Sequence, residues 1–222
     1  MSPGWNPSSG GAYESRWQRP PQSTQMMIGG ASMLPVCPDS VPVMRVISGS
    51  LRGRSFDTIP GTDVRPTSDR VREALFNALF SMRALDETTV VDAFAGSGAL
   101  GLEALSRGAA KVTFMDSNGR SVQCVEANIG LLDLGDRSTV QRGDALTLLK
   151  RHRPVDLMFA DPPYGFDQWQ ELADVCPADL LVAESGDPLE SLDGWTPLRA
   201  KRYGRSHITI LERDQDTQGS NA

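Results

Sequence analysis

The sequence is poor in the residues that build disulfides and metal sites. It has three cysteines, Cys37, Cys124 and Cys176, odd in number and far apart, and two histidines, His152 and His207. No CxxC pair occurs, so neither a disulfide framework nor a Cys/His metal centre is expected, and the thiols read as reduced, cytoplasmic ones. No apolar run approaches the ~18 residues of a membrane-spanning helix. The first residues lack the basic-then-apolar layout of a signal peptide. An excess of positive charge is missing as well. There are 22 Lys and Arg against 28 Asp and Glu, a net charge of −6. The total charge therefore announces no nucleic acid, although local clusters still act over a Debye length of ~8 Å.

What the sequence does contain is ordered from about residue 44. Residues 1–43, rich in Pro, Gly, Ser and Gln without any period, read as a disordered extension. Met44, where patterning begins, is a candidate alternative start. "MRVISGSLRGRSFDTIP", 44–60, reads as a β-hairpin around a Gly- and Ser-rich turn. "RPTSDRVREALFNALFSM" reads as a helix capped by Thr67 or Ser68, with Asp69 in the first turn. Val71, Leu75, Leu79 and Met82 form its expected core stripe.

From residue 88 strands and helices alternate. "TTVVDAF", "KVTFMD", "RSTVQRGD", "VDLMFADPPY" and "DLLVAES" are five expected strands separated by helical patterns. "WTPLRAKRYGRSHITILER" adds two strands around Gly204. The expected fold is α/β: an open, mostly parallel sheet with helices on both faces over 61–213, and an antiparallel pair at one edge. Residues 214–222 read as a polar, disordered tail.

Gly96, Gly98 and Gly101 form GxGxxG after the first of these strands. Glycines there let the backbone turn sharply and approach an adenosine cofactor. Asp116 ends the next strand, eighteen residues past Gly98, where a carboxylate can accept from both ribose hydroxyls. NAD fits that much. Asp92, just ahead of the loop, would repel a pyrophosphate but suits a cationic amino-acid ligand. Asp144 follows the third strand, where it can meet an adenine amine. The fourth strand runs into Asp161-Pro162-Pro163-Tyr164, a turn for which hydride transfer has no use. Together these favour S-adenosylmethionine, bound in the crevice at the strands' C-terminal ends. Phe94, Ala95, Ser97, Ser117 and Ala145 flank these positions and complete the expected pocket.

The Asp-Pro-Pro-Tyr turn suits methyl transfer to an amine conjugated with a ring. Such a nitrogen is a poor nucleophile, and its hydrogens must be accepted as it gains positive charge. Asp161 and the Pro162 carbonyl supply acceptors. Pro162 and Pro163 fix φ near −65° and stiffen the turn, and Tyr164 offers a stacking face. Residues 44–83 carry seven arginines against four acids. Arg45, Arg52, Arg54 and Arg65 from that stretch, with Lys201, Arg202 and Arg205 near the end, are the expected phosphate contacts near the crevice. Arg65 alternatively bridges hairpin and helix to the active site.

"MRVISGSLRGR", "RPTSDRVREALFN", "DAFAGSGALGLEALSRGA", "FMD", "GDA", "DPPY" and "RYGRSHITIL", spanning about 44–212, resemble the RsmD family of bacterial 16S rRNA guanine-N2 methyltransferases. The resemblance implies a Rossmann-like class I methyltransferase fold and S-adenosylmethionine as donor. It also implies a guanine near the decoding region of 16S rRNA, free or within a 30S particle, as substrate. Gly96 and Gly98 would pass under the methionine part of the cofactor, with Asp92 near its ammonium, Asp116 on the ribose and Asp144 on the adenine. Asp161 to Tyr164 would position N2. A monomer in the cytoplasm, without metal, is expected. Adenine N6, cytosine N4 and a protein glutamine are the alternative acceptors. DNA reading is disfavoured because only about 58 residues follow Tyr164.

Overall fold

A computed structural model describes residues 43–59, 69–189 and 191–215. Cys37, Arg65, the expected caps Thr67 and Ser68, and the proposed extension up to residue 42 lie outside the described residues. Strands β1 (Val43–Arg45) and β2 (Ser55–Asp57) pair antiparallel, Met44 opposite Phe56, so the hairpin opens one residue earlier than expected. Helix α1 (Asp69–Ser81) follows. Then come β3 (Thr89–Asp92), α2 (Ala99–Ser106), β4 (Lys111–Asp116), α3 (Gly119–Leu132), β5 (Ser138–Arg142), α4 (Ala145–Leu149), β6 (Val155–Ala160), α5 (Trp169–Val175) and β7 (Ala178–Ser185). β8 (Trp195–Tyr203) and β9 (Ser206–Arg213) close the fold.

The main sheet has the order β5-β4-β3-β6-β7-β9-β8. The first five strands are parallel, as their helical crossovers demand. The closing pair lies at the edge, and β9 is inserted antiparallel between β7 and β8. One face of the sheet is covered by α1, α2, α3 and the hairpin, through Phe76, Leu79, Leu102, Leu105, Ile129, Val46 and Phe56. The other face packs on α4 and α5 through Leu146, Leu149 and Leu172. Both faces being buried, the strands read as apolar runs rather than alternations.

The stripe of α1 differs from expectation. Leu75 and Leu79 are buried, but so are Arg72 and Phe76, while Met82 is exposed and Val71 half-buried. Arg72 is fully enclosed: its Nη2 donates to the Arg45 carbonyl at 2.6 Å and to Asp69 at 3.0 Å, and its guanidinium sits 5.7 Å from the Phe56 ring. Burial lowers its pKa, and Glu103 and Asp69 oppose that. Arg72 ties α1 to the hairpin and is no phosphate contact.

The third glycine of the GxGxxG run has a packing role. A Cβ on Gly101 would lie 2.2 Å from Phe114 Cε1 and 2.9 Å from Val112 Cγ1. Gly101→Ala therefore forces α2 off β4 and is expected to cost ~1–3 kcal/mol. Thermal unfolding measures this, and an unchanged Tm would contradict it.

Candidate active site

The candidate site residues Asp92, Gly96, Gly98, Asp116, Asp144 and Asp161 lie at the C-terminal edge of the parallel strands. Asp92 ends β3 and is 1% exposed. Its Oδ2 accepts from the Gly101 N–H at 3.0 Å, which orients the carboxylate at the start of α2. Burial pushes its pKa up to about 7; the Gly101 hydrogen bond opposes this and nearby Asp116 adds to it. Gly96 and Gly98 have φ of 55° and 85°, the left-handed region that glycine tolerates. The loop's shape is fixed by the Gly96 N–H to Asp116 Oδ2 at 2.9 Å and the Gly98 N–H to the Ala95 carbonyl at 2.7 Å.

Asp116 also accepts from the Asn118 N–H at 2.8 Å. Each carboxylate oxygen offers two lone-pair sites, so both retain capacity for a ribose hydroxyl. Asp144 caps α4, its Oδ1 accepting from the N–H and hydroxyl of Thr147 at 2.9 and 2.8 Å. Oδ1 makes both of these bonds. Phe94 joins the glycine loop to the opposite wall: its ring meets Phe166 at 5.5 Å, and Phe166 meets Trp169 at 5.2 Å, both edge-on.

Asp161 follows the end of β6. Burial, then Glu184, then Asp92 raise its pKa well above the usual carboxylate range. The register explains this cluster. Asp92 lies opposite Phe159, and Phe159 opposite Val182. Residues two further along a strand return to the same face, which puts Asp161 and Glu184 on the face of Asp92. Glu184 was not among the residues picked from the sequence. Its signal was available: it nearly ends the fifth parallel strand, as Asp92 and Asp116 end theirs. Tyr164 is 65% exposed at the rim. Pro163 accepts from the Phe166 N–H at 3.2 Å and closes the turn.

The basic residues are not brought together. Ser185 lies opposite His207, and His207 opposite Arg202. This sets Lys201, Arg202 and Arg205 at the same edge as Glu184, all three exposed. The hairpin is different. Its turn sits on the C-terminal end of α2, with Ile47 and Ser48 N–H donating to Glu103 at 2.8 and 3.0 Å, and the Leu51 N–H to Ser106 Oγ at 3.0 Å. Arg54 donates to the Leu131 and Leu132 carbonyls at 2.5 and 3.4 Å, at the C-terminus of α3, with Asp133 3.7 Å away. Both helices start at the cofactor edge and end at the opposite one. Arg52 and Arg54 therefore lie away from the crevice, against expectation, because the turn needs Glu103 and Ser106 to satisfy its backbone. Arg45 is exposed midway along the hairpin.

A surface depression of about 610 Å³ is also at that far edge, between Glu87, Arg107 and Arg137. It contains none of the site residues. Among the described residues no cluster of His, Cys, Asp and Glu could hold a metal ion, and no helix is long and apolar enough to cross a membrane.

A parallel sheet of this order with an inserted antiparallel strand, a glycine loop after its first strand, acids at successive strand ends and Asp-Pro-Pro-Tyr after the fourth defines a class. It is the class of Rossmann-like, S-adenosylmethionine-dependent methyltransferases. A family model described as Conserved hypothetical protein 95 matches residues 44–212. The chain belongs to that family, the RsmD methyltransferases. It is 39% identical over 184 residues to YlbH of Bacillus subtilis, covering 77% of this chain and 99% of that protein. It is 34% identical over 180 residues to ribosomal RNA small subunit methyltransferase D of Haemophilus influenzae, covering 75% and 92%. The solved structure of yhhF from Escherichia coli superposes with a TM-score of 0.69 at 34% identity, covering 78% and 99%.

Proposed function

We propose that this protein transfers a methyl group from S-adenosylmethionine to the exocyclic N2 of one guanine in 16S rRNA. The observation that carries this is the pair of acids, Asp161 and Glu184, on one face of neighbouring strand ends beside the glycine loop. Guanine presents two adjacent donors, N1–H and the N2 amine. In adenine and cytosine the reactive amine is flanked by a ring-nitrogen acceptor, and in glutamine by a carbonyl. Two carboxylates side by side therefore accept from guanine and repel the others. When bound, S-adenosylmethionine supplies an electrophilic methyl carbon on a sulfonium. Held by Gly96, Gly98, Asp92, Asp116 and Asp144, it would offer that carbon to the N2 lone pair, the carbon–sulfur electron pair leaving with the sulfur. Asp161 accepts the N2 hydrogens as the nitrogen becomes positive and takes the departing proton, a role its raised affinity for protons suits. Tyr164, exposed beside it, stacks on the extruded base.

Lys201, Arg202 and Arg205 on the same edge hold the flanking phosphates. The protein acts as a cytoplasmic monomer, on free rRNA or within an assembling 30S particle. Labelled methyl transfer to deproteinised rRNA and to 30S subunits, followed by nucleoside mapping, tests the reading. A single N2-methylguanosine is expected. N6-methyladenosine, N4-methylcytidine or label in ribosomal protein would overturn it.

A further inference from the structure

The N-terminal hairpin makes a second attachment, near its open end, that reaches the cofactor loop. Asn128 on α3 is fully buried. Its Oδ1 accepts from the Asp57 N–H at 2.8 Å, and its Nδ2 donates to the Asp57 carbonyl at 2.9 Å. Asp57 ends β2, so the amide pairs with it as a neighbouring strand would. The remaining Nδ2 hydrogen goes to the Ser97 carbonyl at 2.9 Å. Ser97 lies between Gly96 and Gly98, the two residues with positive φ. Two flexible glycines flanking a single residue give its peptide groups many orientations, and a side-chain amide on the Ser97 carbonyl restricts them.

We propose that Asn128 is a positioning residue for the cofactor loop and that the hairpin is its brace. β2 holds the amide, the amide holds the Ser97 carbonyl, and the loop is set for S-adenosylmethionine before the cofactor arrives. Pre-organisation of this kind appears in affinity, because a loose loop must be ordered when it binds. It does not require Asn128 to touch the reacting atoms. The inference rests on the cofactor and is independent of which base is methylated.

Calorimetry of S-adenosylmethionine and S-adenosylhomocysteine binding to the full chain tests it without any RNA. Asn128→Ala is expected to weaken both ligands about tenfold. In methyl transfer the same variant raises the KM for S-adenosylmethionine while kcat at saturation stays within about twofold. Asn128→Leu keeps the volume of the side chain without a buried charge and loses the acceptor and both donors, so it shows the same loss and serves if the alanine variant does not fold. Ser106→Ala is the control. It removes the hydroxyl's bonds to the Ser48 carbonyl and the Leu51 N–H, loosening the hairpin at its far end only. It is expected to lower Tm and leave cofactor affinity unchanged. Wild-type affinity in both Asn128 variants would overturn the proposal. So would an equal loss in Ser106→Ala, which would make the effect one of general loosening.

Discussion

Asp161→Ala lowers kcat at least ~100-fold while the dissociation constant for S-adenosylmethionine stays within about threefold. The split follows from where the carboxylate stands. It lies past the end of β6, beside Glu184, whereas the cofactor loop is held by Asp116, Asn128 and the Ala95 carbonyl. Asp161 makes none of those hydrogen bonds. The base, by contrast, loses the acceptor for a nitrogen that turns positive only as the methyl arrives, so the loss falls on the transition state. The rate should also rise with pH through the raised pKa of Asp161, since the protonated acid cannot accept. Single-turnover transfer and ligand titration measure the two quantities separately. A variant that keeps more than ~10% of the wild-type rate would remove Asp161 from this role.

Asp92→Asn is expected to make the ligand-free protein more stable and the cofactor complex weaker. The folded-state pKa of Asp92 is about 7, and an unfolded aspartate titrates near ~3.9. Between those values the folded state binds more protons than the unfolded one. Stability contributed at this site therefore falls as pH rises from about 4 to about 7 and is level above. Asparagine still accepts from the Gly101 N–H but carries no charge, so at pH 8 its Tm exceeds that of the wild type by several degrees. The cofactor's ammonium meanwhile loses its anionic partner, and affinity falls about tenfold or more. Wild-type affinity for S-adenosylmethionine should rise with pH through the same window, and that of the variant should not. Equal Tm values at pH 8, or matching pH profiles of affinity, would refute this reading of Asp92.

The strands and their order of appearance were legible because parallel strands buried on both faces are short apolar runs between helical periods. The acids at the strand ends were legible for the same reason, since Asp92 and Asp116 are the last residues of their strands and Asp144 and Asp161 come within two residues of the ends of theirs. Glu184 carries that signal too, but its meaning depends on β7 lying beside β6, a neighbour relation that no local pattern encodes. The insertion of β9 between β7 and β8 is equally a matter of topology. Arg72 misleads any period-based reading: a guanidinium stands at a core position, where the Arg45 carbonyl and Asp69 accept from its Nη2 and the Phe56 ring lies against it. The hairpin was visible as a hairpin. Its docking was not, because Ile47 and Ser48 find Glu103 more than fifty residues away, and a basic turn looks the same whether it grips a phosphate or rests on a helix end.

A crystal structure of the full chain with S-adenosylmethionine bound tests the assignment most directly. The account predicts the methionine portion against Gly96 to Gly98, its amino group at Asp92, and the sulfonium methyl directed into the space bounded by Asp161, Glu184 and Tyr164. A cofactor seated elsewhere, or one whose methyl faces away from Asp161, would contradict it.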